Sequence, residues 1–189
     1  MNLQSGTKSN DEILFIQTKL KSLTQISFDE KYIKTFYLPL LQSIKNKRNI
    51  MIAGSQGSGK STLSKLISSY LKKYYLKNSV ILSLDDFYLS RNSRLKLSKK
   101  IHPLFLTRGV PGTHDIESLL NKFQLLTKKV FPVYLPIFDK VKDTRKRSYK
   151  KICKADVIIL EGWCVGARPI SSQYLYKNIN NWKCYQSYS

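Results

Sequence analysis

Between Ala53 and Leu63 the chain reads Gly54-Ser55-Gln56-Gly57-Ser58-Gly59-Lys60-Ser61-Thr62, which has the G-x-x-x-x-G-K-S spacing of a Walker A phosphate-binding loop. This motif constrains a fold because it works only between a strand and a helix. Both are expected here. Asn49-Ile50-Met51-Ile52-Ala53 is a short apolar run suited to a buried strand, and Leu63, Leu66, Ile67, Tyr70, Leu71 and Tyr74 recur at helical spacing within 59–76. Glycines allow the tight turn that aims backbone N–H groups at an anion, and the helix directs its positive end to the same point. All nine residues from Gly54 to Thr62 are therefore candidate nucleotide-phosphate ligands. Lys60 would reach the β- and γ-phosphates, and the Ser61 hydroxyl would sit on Mg²⁺. The plainer alternative, a Gly/Ser-rich loop with a chance lysine, is disfavoured by the flanking strand and helix.

Two further apolar runs extend the pattern. Ser79-Val80-Ile81-Leu82-Ser83-Leu84 ends in Asp85-Asp86-Phe87-Tyr88, and Asp156-Val157-Ile158-Ile159-Leu160 ends in Glu161-Gly162. Strand, crossover helix and strand form the unit of a parallel sheet, so the chain reads as an α/β domain with helices against a P-loop-type parallel sheet. Chemistry in such sheets sits beyond the carboxyl ends of the strands. Asp85 and Asp86 are thus candidates for function, against the blander reading of an Asp-stabilised turn. Glu161 has the Walker B placement and would orient Mg²⁺ or polarise a reactant.

The remaining segments read as follows. Residues 1–10 look like a disordered leader, and 11–23 like a helix with Ile13, Leu14, Ile16, Leu20 and Leu23 as its apolar stripe. Ser27-Phe28-Asp29-Glu30 reads as a capping box opening a helix through Ile44, which Pro39 should kink or split. Residues 91–101 look helical and basic. Arg108-Gly109-Val110-Pro111-Gly112-Thr113-His114-Asp115 is a loop. It is either an anion-binding segment or a turn with a satisfied histidine, and Thr113 could cap the helix that follows. Val130 to Phe138 is extended, because Pro132 and Pro136 exclude a helix.

The 189 residues suit one domain, and 42% hydrophobic content is a globular composition. No apolar run approaches bilayer length and no signal-peptide core is visible, so the expected location is the cytoplasm and the expected partners exclude a membrane. Cys153, Cys164 and Cys184 have no metal-ligand spacing, and their odd number argues against a disulfide framework. A net charge of +21 raises the question of a nucleic-acid partner. Lysine is spread along the whole chain, however, and the one dense run is Lys140 to Lys151. The preferred reading of that run, as 139–152, is a lid over anionic substrates, with a nucleic-acid patch as the alternative.

Several segments together resemble the ATP-dependent D-glycerate 3-kinases of the P-loop kinase group, relatives of phosphoribulokinase, uridine kinase and bacterial pantothenate kinase. They are Gly54 to Thr62, Ser83 to Leu89, His102-Pro103, Arg108 to Asp115, Phe138-Asp139-Lys140 with Asp143-Thr144-Arg145, and Leu160 to Pro169, over roughly residues 49–170. The resemblance implies ATP and Mg²⁺ as cofactors and a small hydroxyl acceptor, D-glycerate, as partner. It implies that Asp85 takes the proton of the substrate hydroxyl and that Asp86 assists the metal or substrate. Arg108 and His114 would line the acceptor site, with Tyr88 and Lys140 beside them, and Arg145 would be a lid arginine that joins Lys60 and Asp85 in catalysis. It also implies a sheet order of 2-3-1-4-5.

Strands one to three of that order are legible, and nothing after Pro169 reads as a fourth or fifth. The expectation is a kinase domain over 11–170 followed by an atypical tail at 171–189, in a chain truncated relative to the family. The first strand would then be a sheet edge. The alternative functions are an inactive nucleotide-binding relative and, less favoured, a nucleic-acid-associated P-loop protein.

Overall fold

The computed structural model describes residues 3–168. The expected tail at 171–189 lies outside the described residues. Helix α1 spans Leu3–Thr24. After it come the single turn α2 (Glu30–Tyr32), a π-helical turn at Ile33–Tyr37 and α3 (Leu38–Ile44). Strand β1 (Asn49–Ala53) leads into α4 (Lys60–Tyr75), and β2 (Ser79–Ser83) into a 3₁₀ turn at Leu84–Phe87. Helices α5 (Arg91–Lys100) and α6 (Ile116–Thr127) follow, then β3 (Val133–Leu135), β4 (Phe138–Asp139), β5 (Thr144–Arg145), β6 (Lys150–Ile152) and β7 (Val157–Gly162).

The α/β class is as expected. Strands β1, β7 and β2 form one parallel sheet in that order. The central strand β7 is an almost continuous apolar run because both of its faces are covered. Its alternate residues serve two cores. Val157 and Ile159 pack with α1, α3 and α4, including Ile16, Leu41, Leu66 and Leu71. Ile158 and Leu160 pack with β2, α6 and the β3–β6 pair, including Leu82, Leu126, Val133 and Ile152. Among the described residues β1 pairs with β7 alone, so it is the sheet edge that the sequence led us to expect, and Met51 on it is 60% exposed.

Several local expectations need correction. Residues 3–10, expected as a leader, extend α1. Ile13, Ile16 and Leu20 are buried and anchor the helix, and once a helix is nucleated each added residue costs little. The cap of the next helix is Asp29 rather than Ser27: its carboxylate accepts from the Tyr32 amide at 3.2 Å. Likewise Asp115, not Thr113, caps α6, accepting from the Ser118 amide at 3.0 Å. Thr113 is buried and donates to the Val110 carbonyl instead. Pro39 does split its helix. Lacking an N–H and crowding the carbonyl four residues back, it is accommodated by the wider turn at Ile33–Tyr37, in which the Leu38 amide bonds to the Ile33 carbonyl. The basic run at 139–152 forms part of the β4–β5 hairpin and then β6, which pairs with β3. No described helix is long and apolar enough to cross a membrane.

Helix α1 is fixed to α4 and α3 by one buried carboxylate. Glu12, 3% exposed, accepts from the Tyr70 hydroxyl at 2.8 Å and from Gln42 Nε2 at 3.1 Å. Removing a partner from a buried charged acceptor costs about 1–3 kcal/mol. Tyr70→Phe should therefore lower the unfolding free energy by about that amount in urea titration. An unchanged midpoint would mean that Glu12 is satisfied without Tyr70.

Candidate functional site

Three strand ends meet at the site because of register. Ile52 of β1 and Ser83 of β2 both lie level with Glu161 of β7. This places the phosphate loop, the Asp85-Asp86 pair and the Glu161 carboxylate at the same edge of the sheet. The loop follows β1 directly and closes onto α4. Gly59 takes φ 84° at the helix N-cap and Gly57 takes φ 77°, conformations that a side chain would strain. Gly162 ends β7 for a different reason: a Cβ there would come within 2.6 Å of Leu84 Cβ, on the turn that carries Asp85 and Asp86.

Lys60 Nζ donates to the Ser55 carbonyl at 2.6 Å, which keeps its ammonium over the loop. The Ser61 hydroxyl donates to Glu161 Oε1 at 3.3 Å. Glu161 itself is buried. A hydroxyl and a carboxylate side by side are hard oxygen donors of the kind Mg²⁺ takes, and this metal is held by one or two carboxylates together with substrate phosphates. No cluster of three or more His, Cys, Asp or Glu occurs among the described residues. Ser61 and Glu161 fit an ion completed by phosphate oxygens and water, not one caged by protein alone.

A cavity of about 590 Å³ joins the loop to the ends of β2 and β7. Ser55, Gln56, Gly57, Lys60 and Ser61 line it together with Asp85, Tyr88, Arg108, Lys140 and Glu161. Lys140 Nζ reaches Asp85 Oδ2 at 2.6 Å. Arg108 is aimed by its own bonds: one nitrogen donates to the Lys140 carbonyl at 2.8 Å and meets Asp143 Oδ1 at 3.2 Å. Burial, followed by the charge and hydrogen bond of Asp85, pushes the Tyr88 phenol up to about 12, so it remains a donor at neutral pH.

Seven of the expected site residues do not line this cavity. Gly54, Ser58, Gly59 and Thr62 lie on the other side of the phosphate loop. His114 is 6% exposed, stacks on Tyr88 with ring centroids 4.2 Å apart, and pairs with it in an isolated β-bridge. Its Nε2 has no hydrogen-bond partner, and burial holds its pKa below 6.5 against the opposing pull of Asp85. Asp86 is likewise turned inward, accepting from the Phe138 amide at 3.2 Å. Burial raises its pKa, partly offset by that hydrogen bond and by Lys140.

Arg145 does not line this cavity. It donates to the Tyr88 carbonyl at 2.8 Å and to Asp115 Oδ2 at 2.9 Å, tying the β4–β5 hairpin to the segment behind Asp85 and to the cap of α6. The basic run therefore divides. Lys140, itself exposed, pairs with Asp85 and the half-buried Arg145 pairs with Asp115, while Lys142, Lys146, Arg147, Lys150 and Lys151 are exposed.

The sequence reading missed Arg94. It is 1% exposed and donates to the Leu89 carbonyl at 3.2 Å, to the Leu106 carbonyl at 2.9 Å and to Asp143 Oδ2 at 2.6 Å. Asp143, at φ 51°, thus bridges Arg94 and Arg108. The Arg-Asn-Ser-Arg-Leu-Lys-Leu-Ser-Lys-Lys helix gives no sign that one of its cations is buried. Trp163, which also borders the cavity, was legible only as part of the segment after Glu161.

Residues 38–90, which run through β1, the phosphate loop and Asp85-Asp86, match the Zeta toxin family. The chain is 34% identical over 166 residues to the probable ATP-dependent kinase TDA10 of Saccharomyces cerevisiae, covering 79% of this chain and 57% of that protein. It is 31% identical over 135 residues to a pantothenate kinase of Ligilactobacillus salivarius, covering 71% and 42%. Among solved structures, the D-glycerate 3-kinase from Cryptococcus neoformans superposes with a TM-score of 0.60 at 29% identity, over 88% of this chain and 55% of that one. The chain spans about half the length of the curated relatives it matches. Over that span it is similar in sequence to ATP-dependent kinases, and its parallel sheet with flanking helices is the fold of the P-loop kinases.

Proposed function

We propose that this protein is a small-molecule kinase that transfers the γ-phosphoryl group of ATP to a hydroxyl of a small hydroxy acid, D-glycerate in the first instance. The observation that carries this reading is the single cavity shared by the phosphate loop, Asp85, Arg108 and Lys140. It offers an anion cradle, a carboxylate and a guanidinium within one volume. The likeness to a D-glycerate 3-kinase and to a pantothenate kinase supports it, since both named acceptors are carboxylic acids that carry a hydroxyl.

The step balances simply. The acceptor hydroxyl oxygen forms a bond to the γ-phosphorus while the bond from that phosphorus to the β–γ bridging oxygen breaks. The hydroxyl proton passes to an Asp85 carboxylate oxygen, and ADP departs with the bridging oxygen. Phosphoryl transfer asks mainly for positioning and charge stabilisation. Lys60 and the loop amides hold the β- and γ-phosphates. The Arg108 guanidinium receives the acceptor carboxylate in a charge-assisted contact, and Lys140 holds Asp85 in place. Ser61 and Glu161 would hold Mg²⁺, which supplies positive charge to the transferring group when bound. Among the described residues Lys60, Arg108 and Lys140 are the cations that line this cavity.

The test is ADP release by the purified chain with Mg·ATP, with and without D-glycerate. Asp85→Asn should lower kcat by about 10²–10⁴-fold, the usual contribution of a positioned base, with nucleotide affinity unchanged by calorimetry. Turnover that survives the substitution would remove Asp85 from the base role, and ATP binding without any transfer by the unaltered chain would overturn the kinase reading.

Arg108→Met should raise the KM for the acceptor by about ten- to a hundredfold, the scale of a lost charge-assisted hydrogen bond, and leave the KM for ATP within about threefold. An equal change in both constants would assign Arg108 to the phosphates instead.

His114 ties stability to pH. Its folded pKa lies below 6.5, because burial disfavours the imidazolium more than Asp85 favours it. The unfolded chain therefore binds more protons below that pH, and the contribution of neutral His114 is complete above the unfolded value and lost as the medium acidifies. Unfolding free energy measured between about pH 7 and pH 5 should fall with a slope that His114→Gln flattens. A slope unchanged by the substitution would assign the acid sensitivity to other groups.

A further inference from the structure

The chemistry above uses one side of the phosphate loop. On the other side lies a second cavity, of about 760 Å³. It shares Ser55, Gly57 and Lys60 with the first cavity and continues past Gly59 and Thr62. Its outer wall is aromatic, formed by Phe28, Tyr32, Phe36 and Tyr37. Phe28 and Tyr32 lie nearly parallel at 26° with centroids 6.0 Å apart, Tyr32 and Phe36 are 4.8 Å apart, and Tyr32 and Tyr37 are 5.9 Å apart.

Phe28 and Tyr37 pack against the core, but core packing does not account for Tyr32 and Phe36, which are 46% and 57% exposed. Its arrangement comes from the π-helical turn. In a regular α-helix a residue meets those three and four positions away. The wider turn at Ile33–Tyr37 also brings the residue five positions away, Tyr37, against Tyr32 in an edge contact. Such single π turns recur at functional sites.

We propose that this cavity receives the base and ribose of the nucleoside triphosphate, with the base stacked on Tyr32 and Phe36. The inference rests on the phosphate-loop reading above and deepens it. Three observations support it. The two cavities share Ser55, Gly57 and Lys60 of the loop, so a triphosphate with its γ end toward Asp85 and Arg108 would lead its other end past Gly59 and Thr62 into this space. Among the described residues Lys60 is the only charged side chain lining the second cavity, which suits a neutral heterocycle and not a second anion. The wall is aromatic, with Phe36 tilted 51° from Tyr32 so that one ring face or the other can be offered to a base, and stacking needs no fixed pattern of donors because every base has a π-face.

The probe is Mg·ATP against Mg·tripolyphosphate, which has the phosphates and no nucleoside. Both are titrated calorimetrically into the full 189-residue chain. The unaltered chain should bind ATP more tightly than tripolyphosphate. The double variant Tyr32→Leu/Phe36→Leu keeps apolar bulk and removes the rings. It should weaken ATP binding by about ten- to a hundredfold and leave tripolyphosphate binding unchanged, which also reports that the loop is still folded. An unchanged ATP affinity would overturn the proposal, as would equal losses for both ligands, since these would mark a merely structural role. If the unaltered chain binds both ligands equally tightly, the phosphate-loop reading stands and this inference falls. If it binds neither, the phosphate-loop reading itself fails, and this inference with it.

Discussion

The pairing of β7 between β1 and β2 is the constraint on which the rest of the molecule depends. Parallel strands must be in register for their carboxyl ends to meet, and here Glu161 is level with both Ile52 and Ser83. A slip of one residue would turn every side chain of β7 to the opposite face. Val157 and Ile159 would then trade places with Ile158 and Leu160 between two differently shaped cores, and Glu161 would leave Ser61. The burial that fixes the register is thus the same burial that assembles the site.

A second layer of order comes from buried cations. Arg94 is out of water, and such a charge is tolerated only when its donors are used. Two go to the Leu89 and Leu106 carbonyls, and the remaining fork clasps Asp143. Asp143 then holds Arg108, which also grips the Lys140 backbone, and Lys140 meets Asp85. The chain of contacts runs from the middle of α5 to the proposed base. Arg145 makes a parallel tie from the hairpin to Tyr88 and Asp115. The acceptor side is therefore positioned by arginines whose donors are matched to fixed oxygens, a task their rigid fork suits better than the flexible ammonium of lysine.

Local pattern carried most of the fold. The strands were legible because central parallel strands are apolar runs with acids at their ends, and α4 because its stripe follows a glycine loop. What failed was decided by distant partners. Nothing near Ser27 or Thr113 shows that Asp29 and Asp115 will cap instead, because the choice depends on where the helix backbone starts. Residues 3–10 are polar and read as leader, yet they extend a helix anchored by Ile13 and Ile16. The candidate residues fell into two groups. Spacing picked out Lys60, Ser61, Asp85 and Glu161, which the loop and the strand ends present and which the fold brings to one cavity. Burial of Arg94 and the gathering of the aromatic cluster were not legible, since one lies in a helix that looks solvated and the other is assembled by a π turn. Arg145 shows the reverse: a cation in a basic run reads as a lid residue, and only the fold reveals that carbonyls and Asp115 take its donors.

The charge balance follows the same logic. A net charge of +21 creates a field that draws in any polyanion and falls off within a Debye length of about 8–10 Å. Such a field raises encounter rates without distinguishing one phosphate from another. Selection must come from groups whose positions are fixed at short range. Lys60 is pinned to Ser55, Arg108 to Lys140 and Asp143, and Lys140 to Asp85. The exposed lysines of the basic run and of the helices contribute to the field, and in the proposed site these three cations would define where a charge on the ligand lies.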